Sequence, residues 1–127
     1  MNVKEISYLI DSHLYNTAIN LEREKKGGCG ADLMSDVLAS IQPEAVLLTS
    51  LCNPQVVRTA VKADVAANIF VRGKIPPEET ITLAEEEQIA LISSPFGMFE
   101  LCGRLYQAGL KSLERSVADQ TNCSSNG

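Results

Sequence analysis

The stretch EAVLLTSLCNPQVVRTAVKADVAANIFV, residues 44–71, decides the fold. Its opening EAVLLTS is a near-continuous apolar run ending in small hydroxyl residues, as in a strand buried on both faces of a parallel sheet. Asn53-Pro54 then supplies an N-cap and a first helical residue. Val56, Val57, Ala60 and Val61 form the buried stripe of a helix that ends near Asp64. VAANIFV, residues 65–71, repeats the apolar run. Strand, helix and strand in so short a span make a βαβ unit.

The unit recurs downstream. RGKI after Val71 reads as a turn, and Pro76-Pro77-Glu78-Glu79 opens a helix with carboxylates in its first turn, where the helix dipole favours them. IALISS, residues 89–94, is a third strand, and Ser94-Pro95 opens a helix carrying Phe99, Cys102, Leu105 and Tyr106 at helical spacing. Successive strand–helix units imply right-handed crossovers. The expectation is an α/β fold: a single three-layer domain with a mainly parallel sheet. A chain of 127 residues suits one domain, and with 5% aromatics and no Trp its core is aliphatic.

Upstream, Val3, Ile6, Leu9 and Ile10 share one face of a short N-terminal helix. The start of HLYNTAINLEREKK suits a short strand, and EREKK an exposed connection. From Asp32, read as an N-cap, Leu33, Met34, Val37, Leu38 and Ile41 recur at helical spacing until Pro43. The preceding KKGGCG reads as a glycine-rich loop entering that helix, a place where backbone N–H groups and the helix dipole favour an anion. The known phosphate fingerprints are absent. Gly73-Lys74 is followed by Ile75 and has no glycine at the earlier P-loop spacing, and a dinucleotide fingerprint begun at Gly28 meets Leu33 where it needs glycine.

A net charge of −5 argues against nucleic acid, whose phosphates need clustered Lys and Arg. The acidic run Glu85–Glu87 reads as a solvated helix face. No apolar run approaches the ~20 residues that span a bilayer, and the N-terminal stretch is unlike a signal peptide, so no membrane partner and a cytoplasmic location are expected. Four scattered cysteines and one histidine give no ligand spacing for a metal, and no metal or other cofactor is expected. Residues 111–127 are expected to extend the last helix through Leu113 and Val117 and then to end in a disordered polar tail containing Cys123.

GGCGADLMSDVLAS, the long stretch from Asn53 to Ser94, and FELCGRLYQAGL together resemble the DRTGG domain family over residues 1–110. Of the family's Asp-Arg-Thr-Gly-Gly, this chain keeps Gly27-Gly28 and has Lys26 in place of the threonine. The resemblance implies an α/β regulatory domain that occurs alone or within phosphotransacetylases and regulated pyrophosphatases. The chain also resembles the non-catalytic N-terminal region of HPr kinase.

Open parallel sheets bind ligands outside the carboxyl ends of their strands. The residues expected there are Thr49, Ser50 and Asn53, then Arg72 and Gly73, then Ser93 and Ser94, joined by Gly27, Gly28 and Asp32 in one crevice. Arg72 is the group suited to a phosphate, and Arg104 to an ion pair or a subunit contact. Asp32 and Asp36 lie four apart on one helical face, where capping and solvation account for them. Cys52 is the best-placed thiol, but no partner base lies near it in sequence, and His13 reads as a packed or surface residue. No catalytic assembly is expected. The favoured reading is a non-catalytic regulatory module that senses an adenine nucleotide or another small anion and self-associates, a homodimer first. The alternative is a protein-interaction or oligomerisation scaffold without a small ligand, which buries an apolar helix face holding Phe96, Met98 and Tyr106.

Overall fold

The computed structural model describes residues 1–16, 26–65 and 67–114. In chain order the elements are α1 (Val3–Leu9), β1 (His13–Leu14), β2 (Gly27–Gly30), α2 (Met34–Ser40), β3 (Ala45–Thr49), α3 (Pro54–Lys62), β4 (Ala67–Phe70), α4 (Glu78–Glu87), β5 (Ala90–Ser93), α5 (Met98–Gln107) and β6 (Lys111–Ser112). They form one sheet in the order β1-β5-β4-β3-β2-β6, in which only β1 runs antiparallel. This is the expected three-layer α/β architecture.

Alternation along the strands divides two cores. Val46, Leu48, Ile69 and Ile92 face α1 and α5, whereas Leu47, Phe70 and Leu91 face α2, α3 and α4. Every residue of β3, β4 and β5 is buried, because helices cover both faces. From β2 to β5 the chain steps one strand at a time with its helices on one face. It then jumps back across the sheet to β6, with α5 on the other face. Reversing direction and changing face together preserve the hand of the crossover.

The glycine run departs from its expected role, for Gly27–Gly30 is not a loop but strand β2, paired with β3 and β6. A Cβ on Gly27 would meet the carbonyl oxygen of Lys111 and, at 2.7 Å, Cγ of Leu113. Glycine here lets β6 approach. Asp32 likewise does not cap α2, whose N-cap is Leu33 without a side-chain bond. The last helix starts at Met98 rather than at Ser94-Pro95. Beyond Leu110 the chain does not extend that helix: Gly109, with φ +104°, turns it into β6, and Leu113 N–H donates to Gly28 O at 2.9 Å. Residues 115–127, with Val117 and the polar tail, lie outside the described residues, as does most of EREKK.

Asn68 is an exception inside the second core. It is fully buried between Leu47 and Leu91 in register, and both polar atoms of its amide lack a partner among the described residues. An unmatched buried amide is costly, whereas an apolar group of the same shape carries no such cost. Asn68→Leu should therefore raise stability by about 1–3 kcal/mol in urea unfolding. Gly27→Ala should lower it by about 1–3 kcal/mol through overpacking, and should speed amide exchange at Leu113 as β6 is pushed off.

Candidate functional site

The carboxyl ends of the parallel strands form one edge, and the residues expected there divide into three groups. Asp32, Thr49 and Ser50 come together at the ends of β2 and β3. Oδ1 of Asp32 accepts from Thr49 Oγ at 3.0 Å and from Ser50 N–H at 2.7 Å. These bonds tie the loop after β2 to the end of β3. The Ser50 backbone N–H is the main reason that the Asp32 carboxyl is held below the usual carboxylate range; it outweighs the desolvation that opposes it, and the Ser50 and Thr49 side chains add smaller contributions.

Arg72 and Gly73 form the second group, just past β4. Both adopt left-handed backbone angles, with φ of 59° and 65°, so the chain turns sharply as it leaves the strand. That turn directs their N–H groups toward the loop after β5: Arg72 donates to Phe96 O at 2.8 Å and Gly73 to Ser94 O at 2.7 Å. The loops after β4 and β5 lead to helices on opposite faces, the arrangement that usually opens a binding crevice. Here these two bonds stitch it shut. The open cleft lies one strand over, about 660 Å³ in volume and lined by Ser50, Arg72, Gly73, Lys74 and Ile75. The side chains of Arg72 and Lys74 are exposed and make no ion pair among the described residues, whereas Lys26 pairs with Glu44 and Arg104 with Glu100.

The third group does not reach the cleft. Ser93 Oγ lies 3.2 Å from the Tyr15 hydroxyl, and Ser94 Oγ donates to Ile10 O at 2.7 Å, so both buried serines fasten the N-terminal segment to β5. Gly27 and Gly28 stand at the amino end of β2, away from this edge. Asn53 is exposed at the N-cap of α3 without a side-chain cap bond. Lys74 and Ile75 are the cleft residues that sequence reasoning missed. The signal was present, a second cation beside Arg72 in a turn at a strand end.

The helices that begin at this edge share one trait. Leu33, Asn53, Pro77 and Gly97 hold the N-cap positions of α2 to α5, and none makes a side-chain cap bond. By contrast, Asn2 and Glu5 close a full capping box on α1. The first-turn N–H groups of α2 to α5 therefore have no side-chain cap at the edge where the cleft opens.

Cys52 donates weakly to Ile75 O at 3.8 Å, and His13 packs edge-on against Tyr15 on the far strand β1. Cys29 and Cys102 line a separate cavity of about 130 Å³ beneath α5. Burial, followed by the charge of Glu114, pushes the Cys29 thiol up to about 12 and raises Cys102, so both remain thiols at neutral pH. Among the described residues no three His, Cys, Asp or Glu side chains gather as metal ligands, and no helix is long and apolar enough to cross a membrane.

Asp32→Ala removes both bonds that tie the loop after β2 to β3, and should cost about 1–2 kcal/mol at neutral pH. Because the folded state holds this carboxyl below its unfolded pKa, the contribution is complete above the unfolded value and is lost as pH falls through the folded one. The gap between wild type and variant in urea midpoint should accordingly narrow in acid.

No family model and no curated protein matches the chain. Among solved structures it is similar to the CBS and DRTGG domains of the regulatory region of Clostridium perfringens pyrophosphatase, complexed with the activator diadenosine tetraphosphate. The TM-score is 0.69 at 19% identity, covering 84% of this chain and 46% of that one. At such identity the likeness is one of fold, and the chain spans about half the length of its neighbour. The resemblance carried by the glycine run and the last helix is met at the level of architecture: the chain has a DRTGG-like α/β fold.

Proposed function

We propose that the chain is a non-catalytic, cytoplasmic regulatory module that senses a nucleotide or another small anion at the carboxyl edge of its sheet and self-associates as a homodimer. The observation that carries this reading is the pair Arg72 and Lys74, two cations that line one open cleft without an ion pair among the described residues, in a chain of net charge −5. Arg72 offers a planar fork to a phosphate and Lys74 a mobile point charge. A volume of about 660 Å³ is within the range of nucleotide-sized pockets. The uncapped helix N-termini along the same edge add favourable potential for negative charge. The structural neighbour, a regulatory region bound to a diadenosine activator, points to an adenine nucleotide as the first ligand to test.

The alternative, a protein-interaction or oligomerisation scaffold without a ligand, expected an open face of Phe96, Met98 and Tyr106; Phe96 and Met98 instead pack partly buried against the first core, and the exposed aromatics are Tyr8, Phe99 and Tyr106 of α1 and α5. Thermal unfolding of the purified chain with AMP, ADP, ATP, diadenosine tetraphosphate or inorganic phosphate separates the two. A ligand at a hundredfold its dissociation constant should stabilise the wild type by about 2.7 kcal/mol. Arg72→Ala should remove that stabilisation, and Lys74→Ala should reduce it. A wild type unmoved by every ligand, with a dimeric mass in light scattering, favours the scaffold.

A further inference from the structure

Two glycines of β2 leave a hollow beneath α5. Cys29 belongs to the second core, so alternation turns Gly28 and Gly30 toward α5, and between strand and helix lies the cavity of about 130 Å³. Its interior is apolar, walled by the buried Leu48, Leu105 and Leu110. Tyr106 and Glu114, both exposed, stand at its mouth. Oε1 of Glu114 accepts from Gly30 N–H at 2.9 Å, at a point on β2 that lies beyond the end of β6. After burial, the charge of Glu114 is the next cause that raises both Cys29 and Cys102. Those thiols belong to opposite faces of the sheet, so the carboxylate stands at the open edge of β2, within reach of both. No cation pairs with it among the described residues. Lys111 also lines the cavity, but it is level with Gly27, and alternation sends its side chain to the other face.

We propose that this cavity is a binding site for a small aliphatic monoamine, with its alkyl tail among the leucines and its ammonium group on Glu114 at the mouth. The site shares no lining residue with the cleft at Arg72 and Lys74, and it is independent of the function read there. The walls select the tail. An apolar cavity of about 150 Å³ takes up a molecule the size of benzene, so a chain of about four or five carbons fits here. The mouth selects the head, because a carboxylate without a counter-ion favours a cation and can accept more donors than the one N–H of Gly30. The order of these groups narrows the ligand further. With the carboxylate outside and only apolar walls within, the ligand enters tail first and keeps its charge at the water boundary. A lysine side chain from another protein would bring its ammonium in first, and a diamine would carry a second one inward. Each would leave an unpaired charge among the leucines, which is costly.

The test is titration of the full chain with n-butylamine at constant neutral pH and ionic strength, followed through backbone amide shifts in NMR. Saturable shifts at Gly28, Gly30 and Leu110 are expected, with a dissociation constant of about 10 mM or tighter. n-Butanol has the same tail without the charge, and 1,4-diaminobutane adds a second ammonium; each should bind at least about tenfold more weakly. Glu114→Gln keeps an acceptor for Gly30 N–H, so it should unfold near the wild-type temperature while losing the preference for butylamine over butanol. Cys102→Leu fills the cavity from α5 and should abolish the shifts. A wild type whose Gly28 and Gly30 amides do not respond to butylamine overturns the site, as does a folded Cys102→Leu variant that binds it unchanged. Butanol or diaminobutane bound as tightly as butylamine, or a Glu114→Gln variant that keeps the preference, overturns the monoamine as its ligand.

Discussion

Parallel strands joined by crossovers of a single hand leave little freedom in where a helix can go. While the chain advances from β2 to β5, its helices must lie on one face. The reversal that carries it back to β6 must take α5 to the other. That reversal is what covers the second face of the sheet: α5, joined by α1, packs over Val46, Leu48, Ile69 and Ile92, which would otherwise face water. It also sets the layers unequal. Among the described residues three helices cover one face and two cover the other.

The same reversal separates the loops after β4 and β5, and in many α/β proteins the gap between such loops is where a ligand sits. In this chain the left-handed turn at Arg72 and Gly73 uses its backbone donors to close that gap. The side chains of Arg72 and Lys74 line the cleft beside the neighbouring loop instead, where Ser50 is fixed by Asp32. A carboxylate thus fixes one wall of the cleft, and two cations without an ion pair among the described residues line the other.

The repeating βαβ pattern was legible because each central strand is buried on both sides and therefore apolar throughout, as in AVLLT and ANIF. The glycine run was misread for a physical reason. Strand β2 has hardly any side chains by which to show a two-residue period, and its identity rests on β3 and β6 beside it, which are remote in sequence. Asp32 had the composition of a cap, but its partner proved to be the end of β3 rather than its own helix. Ser93 and Ser94 stand at a strand end as expected, but the N-terminal segment folds over them and takes up their hydroxyls. In each case the deciding partner lies far along the chain, beyond what local spacing can reveal.

Strand β2 has a further consequence for how the molecule assembles. Three of its four residues are glycine, the residue that loses the most conformational freedom on being fixed and buries the least side chain in return. Its order therefore depends on backbone pairing with β3, a strand already held by its own helices, and β6 depends in turn on β2. The run from β3 to β5 closes short loops and gains a full aliphatic core, whereas β6 must wait for a partner that has little tendency to be a strand alone. The glycines that let β6 approach β2 thus leave that margin of the sheet with little side-chain burial of its own, held by backbone pairing to its neighbours.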